Sequence, residues 1–116
     1  MTELELARAA AKALDSKKAL DLKILRITEL SVIADYFVIA TGTSNTQVKA
    51  LADEVEFRLK EQGVAPGHME GYHSNSWVLL DYGSVVVHVF TPESRNFYDL
   101  DRLRKDGEEV DPGLSE

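Results

Sequence analysis

Residues 77 to 91 leave this chain little choice of local structure. Trp77-Val78-Leu79-Leu80-Asp81-Tyr82 and Val85-Val86-Val87-His88-Val89-Phe90-Thr91 are runs rich in β-branched and aromatic residues, and only Gly83-Ser84 joins them. A two-residue connection with glycine first suits a type II′ hairpin turn, and that loop length fixes the register of the two strands. Tyr82 then pairs with Val85, Leu80 with Val87 and Val78 with Val89, which makes one face aliphatic and fit for a core. The opposite face pairs Asp81 with Val86, Leu79 with His88 and Trp77 with Phe90. Two readings of this mixed face stay open. Either helices cover it, with Trp77 and Phe90 as core aromatics and His88 hydrogen-bonded, or it is a patch for a protein partner, anchored by Trp77 with Asp81 at its margin.

The rest of the chain supplies elements to pack against that hairpin. Thr2 and Glu5 form a capping-box pattern before Leu4, Ala7, Ala11 and Leu14, which predicts a helix ending near Ser16. Residues 21 to 27 read as a half-buried strand, and the apolar run Tyr36–Thr41 as a central strand covered on both faces. Ser44 with Gln47 repeats the capping-box pattern ahead of the stripe Val48, Leu51, Ala52, Val55 and Leu59, a helix that stops before Gly63. A weak strand follows around 68 to 72, and Thr91-Pro92 opens a short helix with Phe97, Leu100 and Leu103 on its apolar side. This order implies an α/β (α+β) fold, a mixed sheet with flanking helices. Residues 1–105 are expected to form a single domain, with 106–116 an acidic, frayed tail.

Charge narrows the choice of partner. Thirteen Lys and Arg against twenty Asp and Glu give a net charge of −7, so phosphate neutralisation offers this chain little, and direct RNA contact is not expected to dominate. Between Lys60 and Arg95 there is no Lys or Arg at all, while Glu61, Glu70, Asp81 and Glu93 fall in that gap. A basic protein partner is the better fit. The absence of cysteine removes disulfides, thiolate nucleophiles and zinc knuckles. With no membrane-length apolar run and no leader pattern, the expected location is cytoplasmic, without membrane contact.

Chemical motifs are weak. Gly42-Thr43-Ser44-Asn45, between a strand and a helix start, has the free amides that hold phosphates, but it matches neither the dinucleotide fingerprint nor the P-loop. A nucleotidyltransferase would need two carboxylates one residue apart on the following strand, and they are missing there. His68, His73 and His88 are scattered, and no serine sits in a nucleophile elbow. The residues therefore predict no catalytic group, cofactor or metal.

Taken in order, Ala34–Asn45, Val48-Lys49-Ala50, Ala52–Val55, Glu70-Gly71, Trp77–Gly83, Val85–Phe90, Glu93-Ser94-Arg95 and Phe97–Leu103 closely resemble the ribosomal silencing factor family, also called Iojap-related proteins. The resemblance spans about residues 2 to 104. It implies a mixed five-stranded sheet, distantly similar to nucleotidyltransferases but without known enzymatic activity, and a homodimer. It also implies binding to the large ribosomal subunit through its fourteenth protein. Docked there, the factor would block joining of the small subunit and repress translation when nutrients are scarce. The alternatives are a role in large-subunit assembly, or a divergent or inactive nucleotidyltransferase-like enzyme. Family positions carried over as partner-binding are Trp77, Leu79, Asp81 and His88, with Glu70 and Tyr98 as additions. Ser84 stands where the family often has Asp, and Arg104 where many members have Trp.

Overall fold

In the computed structural model, which describes residues 1–28, 34–72, 74–105 and 107–114, the chain forms one mixed sheet with its two long helices on a single face. Helix α1 (Glu3–Ser16) leads into β1 (Leu20–Arg26) and β2 (Tyr36–Thr41), followed by α2 (Asn45–Glu61). Strands β3 (His68–Glu70), β4 (Trp77–Asp81) and β5 (Val85–Phe90) come next, then α3 (Pro92–Tyr98), a 3-10 helix at Leu100–Lys105 and β6 (Glu108–Val110). The spatial order is β3-β4-β5-β2-β1-β6, with β2 and β5 parallel and every other pair antiparallel.

The sheet has six strands rather than the expected five, and the sixth comes from the segment expected to fray. Glu108, Glu109 and Val110 pair with Arg26, Leu25 and Ile24. Val110 packs on the main core as its one apolar contribution, Arg8 Nε donates to the Asp111 carbonyl at 3.0 Å, and Leu114 packs on the same core. A short, charged edge strand carries no hydrophobic period, so its partner, not its own sequence, makes it a strand.

The capping pattern at Thr2 forms in full. Glu5 N donates to Thr2 Oγ1 at 3.1 Å, and Thr2 N donates to Glu5 Oε1 at 2.7 Å. At α2 only half of the expected box forms. Ser44 Oγ accepts from Gln47 N, but Gln47 Oε1 accepts from Thr43 N and Oγ1 instead of the Ser44 amide. This binds the whole Thr43-Ser44 turn to the helix and uses up its polar groups as caps. All five stripe residues of α2 are fully buried. The apolar face of α1 is wider than its expected stripe: Leu6, Ala10 and Ala13 are buried too, whereas Leu4 is half-buried. Its run of alanines lets α1 lie close to α2 and to the sheet.

The hairpin register is the one the two-residue turn dictates: Trp77 opposite Phe90, Val78 opposite Val89, Leu79 opposite His88, Leu80 opposite Val87 and Asp81 opposite Val86. Gly83 has φ +86°, and Tyr82 N donates to the Val85 carbonyl at 2.9 Å. Val78, Leu80, Val87 and Val89 are completely buried beneath α1 and α2. The β1 strand is not simply half-buried. Ile24 enters the helix-side core, while Leu25 enters a second core on the other face with Ile27, Ala34, Ile39 and Phe90.

Candidate functional site

The second face of the sheet is where the expected site residues lie, and the strand registers place them in rows. One row runs Glu70, Leu79, His88, Ile39, Lys23; the next runs His68, Asp81, Val86, Phe37, Leu25. At the β1 end these rows are closed by α3 and the 3-10 helix, whose Leu100 and Leu103 pack on the second core. At the β3 end nothing covers them among the described residues. The result is a hollow of about 210 Å³ lined by Ala34, Phe37, His68, Glu70, Leu79, Asp81, Val86 and His88. Its floor is apolar and aromatic, and its rim carries Glu70 and Asp81.

The mixed face is covered in part and open in part. Phe90 is completely buried and Trp77 is half-buried above it, the two rings stacked with centroids 5.2 Å apart. Tyr98 lies against Trp77 at 4.3 Å and forms the side of the patch next to α3. Leu79 and Asp81 are half-buried, and Glu70 is exposed. His88 departs from the expectation of an open face: it is only 3% exposed. It sits on a central strand, between Phe37 (ring centroids 4.5 Å apart) and Trp77 (5.8 Å), and these larger side chains close over it. Phe97, expected on the apolar side of its helix, is instead 81% exposed, because Arg95 takes the inward face of α3 and Phe97, two residues on, lies on the opposite side of the helix.

Polar groups hold this face in shape. Trp77 Nε1 donates to His88 Nδ1 at 3.1 Å, and Asp81 Oδ1 accepts from Gly83 N at 2.8 Å in the hairpin turn. His68 Nε2 lies 3.1 Å from Glu70 Oε2 on the rim. Sequence reasoning missed Arg95. It is nearly buried, donates from Nε and Nη2 to Asp101 (2.7 and 2.9 Å) and from Nη1 to Thr41 Oγ1 at 2.8 Å. Lys23 Nζ adds a 3.2 Å contact to Asp101. The Arg95 guanidinium, ahead of Lys23, holds the Asp101 carboxyl down at about 2. This cluster fastens α3, and with it Tyr98, to β2 and β1. Thr91-Pro92 was legible as a helix start, but nothing in the spacing marks Arg95 as an inward-facing cation.

Burial pushes the His88 imidazole down from 6.5 to about 4. An unfolded chain takes up that proton near the ordinary value and the folded one does not, so the associated stability is complete above about pH 6.5 and is lost as pH falls toward 4. The full difference is worth about 3 kcal/mol. Urea unfolding of the wild type is expected to show that decline on acidification, and His88→Asn to lack it. Parallel pH profiles for the two proteins would contradict the assignment.

No chemistry presents itself at the Gly42 turn, where Thr43 and Ser44 are occupied as caps. Among the described residues no group of three His, Asp or Glu could hold a metal ion; His73 lies outside them, as does the side chain of Arg104. No helix among the described residues is long and apolar enough to cross a membrane.

The geometry defines an α+β domain with both long helices on one side of its sheet and a shallow, acid-rimmed hollow on the other. Its whole length, residues 1–116, matches the family model described as "Ribosomal silencing factor during starvation". The ribosomal silencing factor RsfS of Halalkalibacterium halodurans is 41% identical over 111 residues, covering 96% of this chain and 95% of that protein. A crystal structure of a protein from Chromobacterium violaceum superposes with a TM-score of 0.86 at 43% identity, over 89% of this chain and 86% of that one. A mouse protein named for mitochondrial assembly of the ribosomal large subunit is 30% identical over 78% of this chain and 41% of its own length. The chain belongs to the ribosomal silencing factor family, a family of regulatory proteins not known as enzymes.

Proposed function

We propose that this protein binds the large ribosomal subunit through its fourteenth protein and, standing on the surface that faces the small subunit, prevents the two subunits from joining. It does so as a cytoplasmic, non-enzymatic translation repressor when nutrients are limited, and as a homodimer when free. Membership of the silencing family supports the setting. The observation that carries the choice of surface is the hollow, lined by half-buried Leu79 with Glu70 and Asp81, together with half-buried Trp77, which lies against the lining residue His88, all within a segment that has no Lys or Arg from residue 61 to 94. Desolvating an aromatic and a leucine supplies affinity, and carboxylates at the margin favour Arg or Lys on a basic ribosomal protein and speed encounter. Tyr98 and His88 contribute by backing Trp77. No bond is made or broken. A body of 12.9 kDa acts by occupying space. The mouse relative's name favours one further use of the same surface, accompanying the large subunit during assembly.

Sedimentation with purified large subunits tests this. The wild type is expected in the pellet and Trp77→Glu in the supernatant, with affinity lowered about 100-fold or more. Glu70→Lys, an exposed change, is expected to bind about tenfold more weakly, with less dependence on salt. A wild type that stays in the supernatant contradicts the function. A Trp77→Glu protein that pellets normally contradicts the surface.

A further inference from the structure

His88 has one polar atom for which the fold provides no use. Its Nδ1 accepts the indole N–H of Trp77, so Nδ1 carries a lone pair. Burial among Trp77, Phe37 and Phe90 keeps the ring neutral. A neutral ring with an unprotonated Nδ1 carries its hydrogen on Nε2. That Nε2–H is buried and has no acceptor among the described residues. An orphaned buried donor costs about 1 to 3 kcal/mol, which an incoming acceptor returns. The imidazole also lines the hollow, beside Leu79 and Val86 and below the carboxylates of Glu70 and Asp81.

We propose that His88 Nε2–H is a recognition donor, held at the floor of the hollow for an uncharged oxygen acceptor of the docking protein, a main-chain carbonyl or a side-chain amide or hydroxyl, that lies next to an Arg or Lys reaching the rim. This rests on the surface assigned under the proposed function and adds what the partner must present there. The rim and the floor ask for different chemistry. Glu70 and Asp81 attract a cation, but a cationic nitrogen at the floor would meet another donor and be desolvated without a partner. Trp77 fixes the tautomer, and so specifies the donor as well as forming part of the apolar patch. The donor is buried in the free protein, so an acceptor entering the hollow reaches it with side-chain adjustments of the kind common on docking.

Two substitutions separate this role from support of the fold. His88→Asn keeps an oxygen near the position of Nδ1 for the Trp77 indole and removes the donor at Nε2. His88→Gln does the reverse, placing an amide N–H near Nε2 and leaving the indole unpaired. In sedimentation with purified large ribosomal subunits, His88→Asn is expected to bind about tenfold or more weakly with near-normal thermal stability. His88→Gln is expected to melt lower yet bind within about threefold of wild type. Binding by His88→Asn equal to wild type, or affinities that simply follow stability in both variants, overturns the proposal. Nitrogen NMR of the free protein provides a readout independent of the ribosome: it is expected to show the neutral, Nε2-protonated tautomer. An Nδ1-protonated ring or an imidazolium at neutral pH overturns the proposal whatever the ribosome does, whereas failure of the wild type to sediment with subunits would count against the functional reading alone.

Discussion

Gly71→Ala is expected to lower stability by roughly 3 to 5 kcal/mol, enough to cost about 10 to 20 °C in Tm or to leave little folded protein. Gly71 has φ +91°, a left-handed conformation that alanine adopts only with strain. A Cβ there would also lie 1.9 Å from the Trp77 carbonyl oxygen, a backbone atom that cannot turn aside. The two strains act at one place, the connection between Glu70 at the end of β3, which lines the hollow, and Trp77 at the start of β4. Gly63→Ala provides the control, since Gly63 has φ +81° but no atom within 4 Å of the added carbon. It is expected to cost only about 1 kcal/mol. Thermal melts of the two variants check this, and equal losses would show that the close approach to Trp77 is not what demands glycine.

Arg95→Met carries the second large effect, about 2 to 3 kcal/mol. The substitution keeps a long apolar stem but removes both bonds to Asp101 and the bond to Thr41 Oγ1. Lys23 still reaches Asp101, which limits the damage to less than that of a wholly unpaired charge. With α3 loosened, Tyr98 loses its hold over Trp77, so the loss in Tm is expected together with a red-shifted emission from Trp77, the chain's sole tryptophan. A destabilised variant with unchanged emission would mean that Trp77 does not depend on α3. The carboxyl of Asp101 is held down at about 2, so its share of the stability persists through neutral pH and fades only as acid approaches that value.

How much of this was legible depended on whether the information was local. The hairpin register could be read because a two-residue turn leaves no freedom, and the α2 stripe because five apolar residues share one face. The Thr2-Glu5 box could be read because both its bonds join residues three apart. Strand β6 could not, since Glu108, Glu109 and Val110 become a strand only by lying beside β1. Arg95 was missed for the same reason: its partners, Thr41 and Asp101, come from elements that meet only in the folded sheet. Leu79, Asp81, Val86 and His88 could be read as one face of the hairpin, but not their unequal depth, nor that Ala34, Phe37 and His68 join them around the hollow. Pairing places Leu79 and His88 side by side, yet Leu79 remains half-open while His88 is sealed by rings from β2 and β4.

Trp77 offers the most direct test of the docking surface. With fluorotryptophan incorporated, the protein carries a single fluorine nucleus, on the hollow's edge, visible by NMR in the presence of any unlabelled partner. Adding the isolated fourteenth protein of the large subunit is expected to shift that resonance progressively to saturation, and Glu70→Lys to require more of the partner for the same shift. A resonance that stays in place while the two proteins demonstrably form a complex would contradict docking through this hollow.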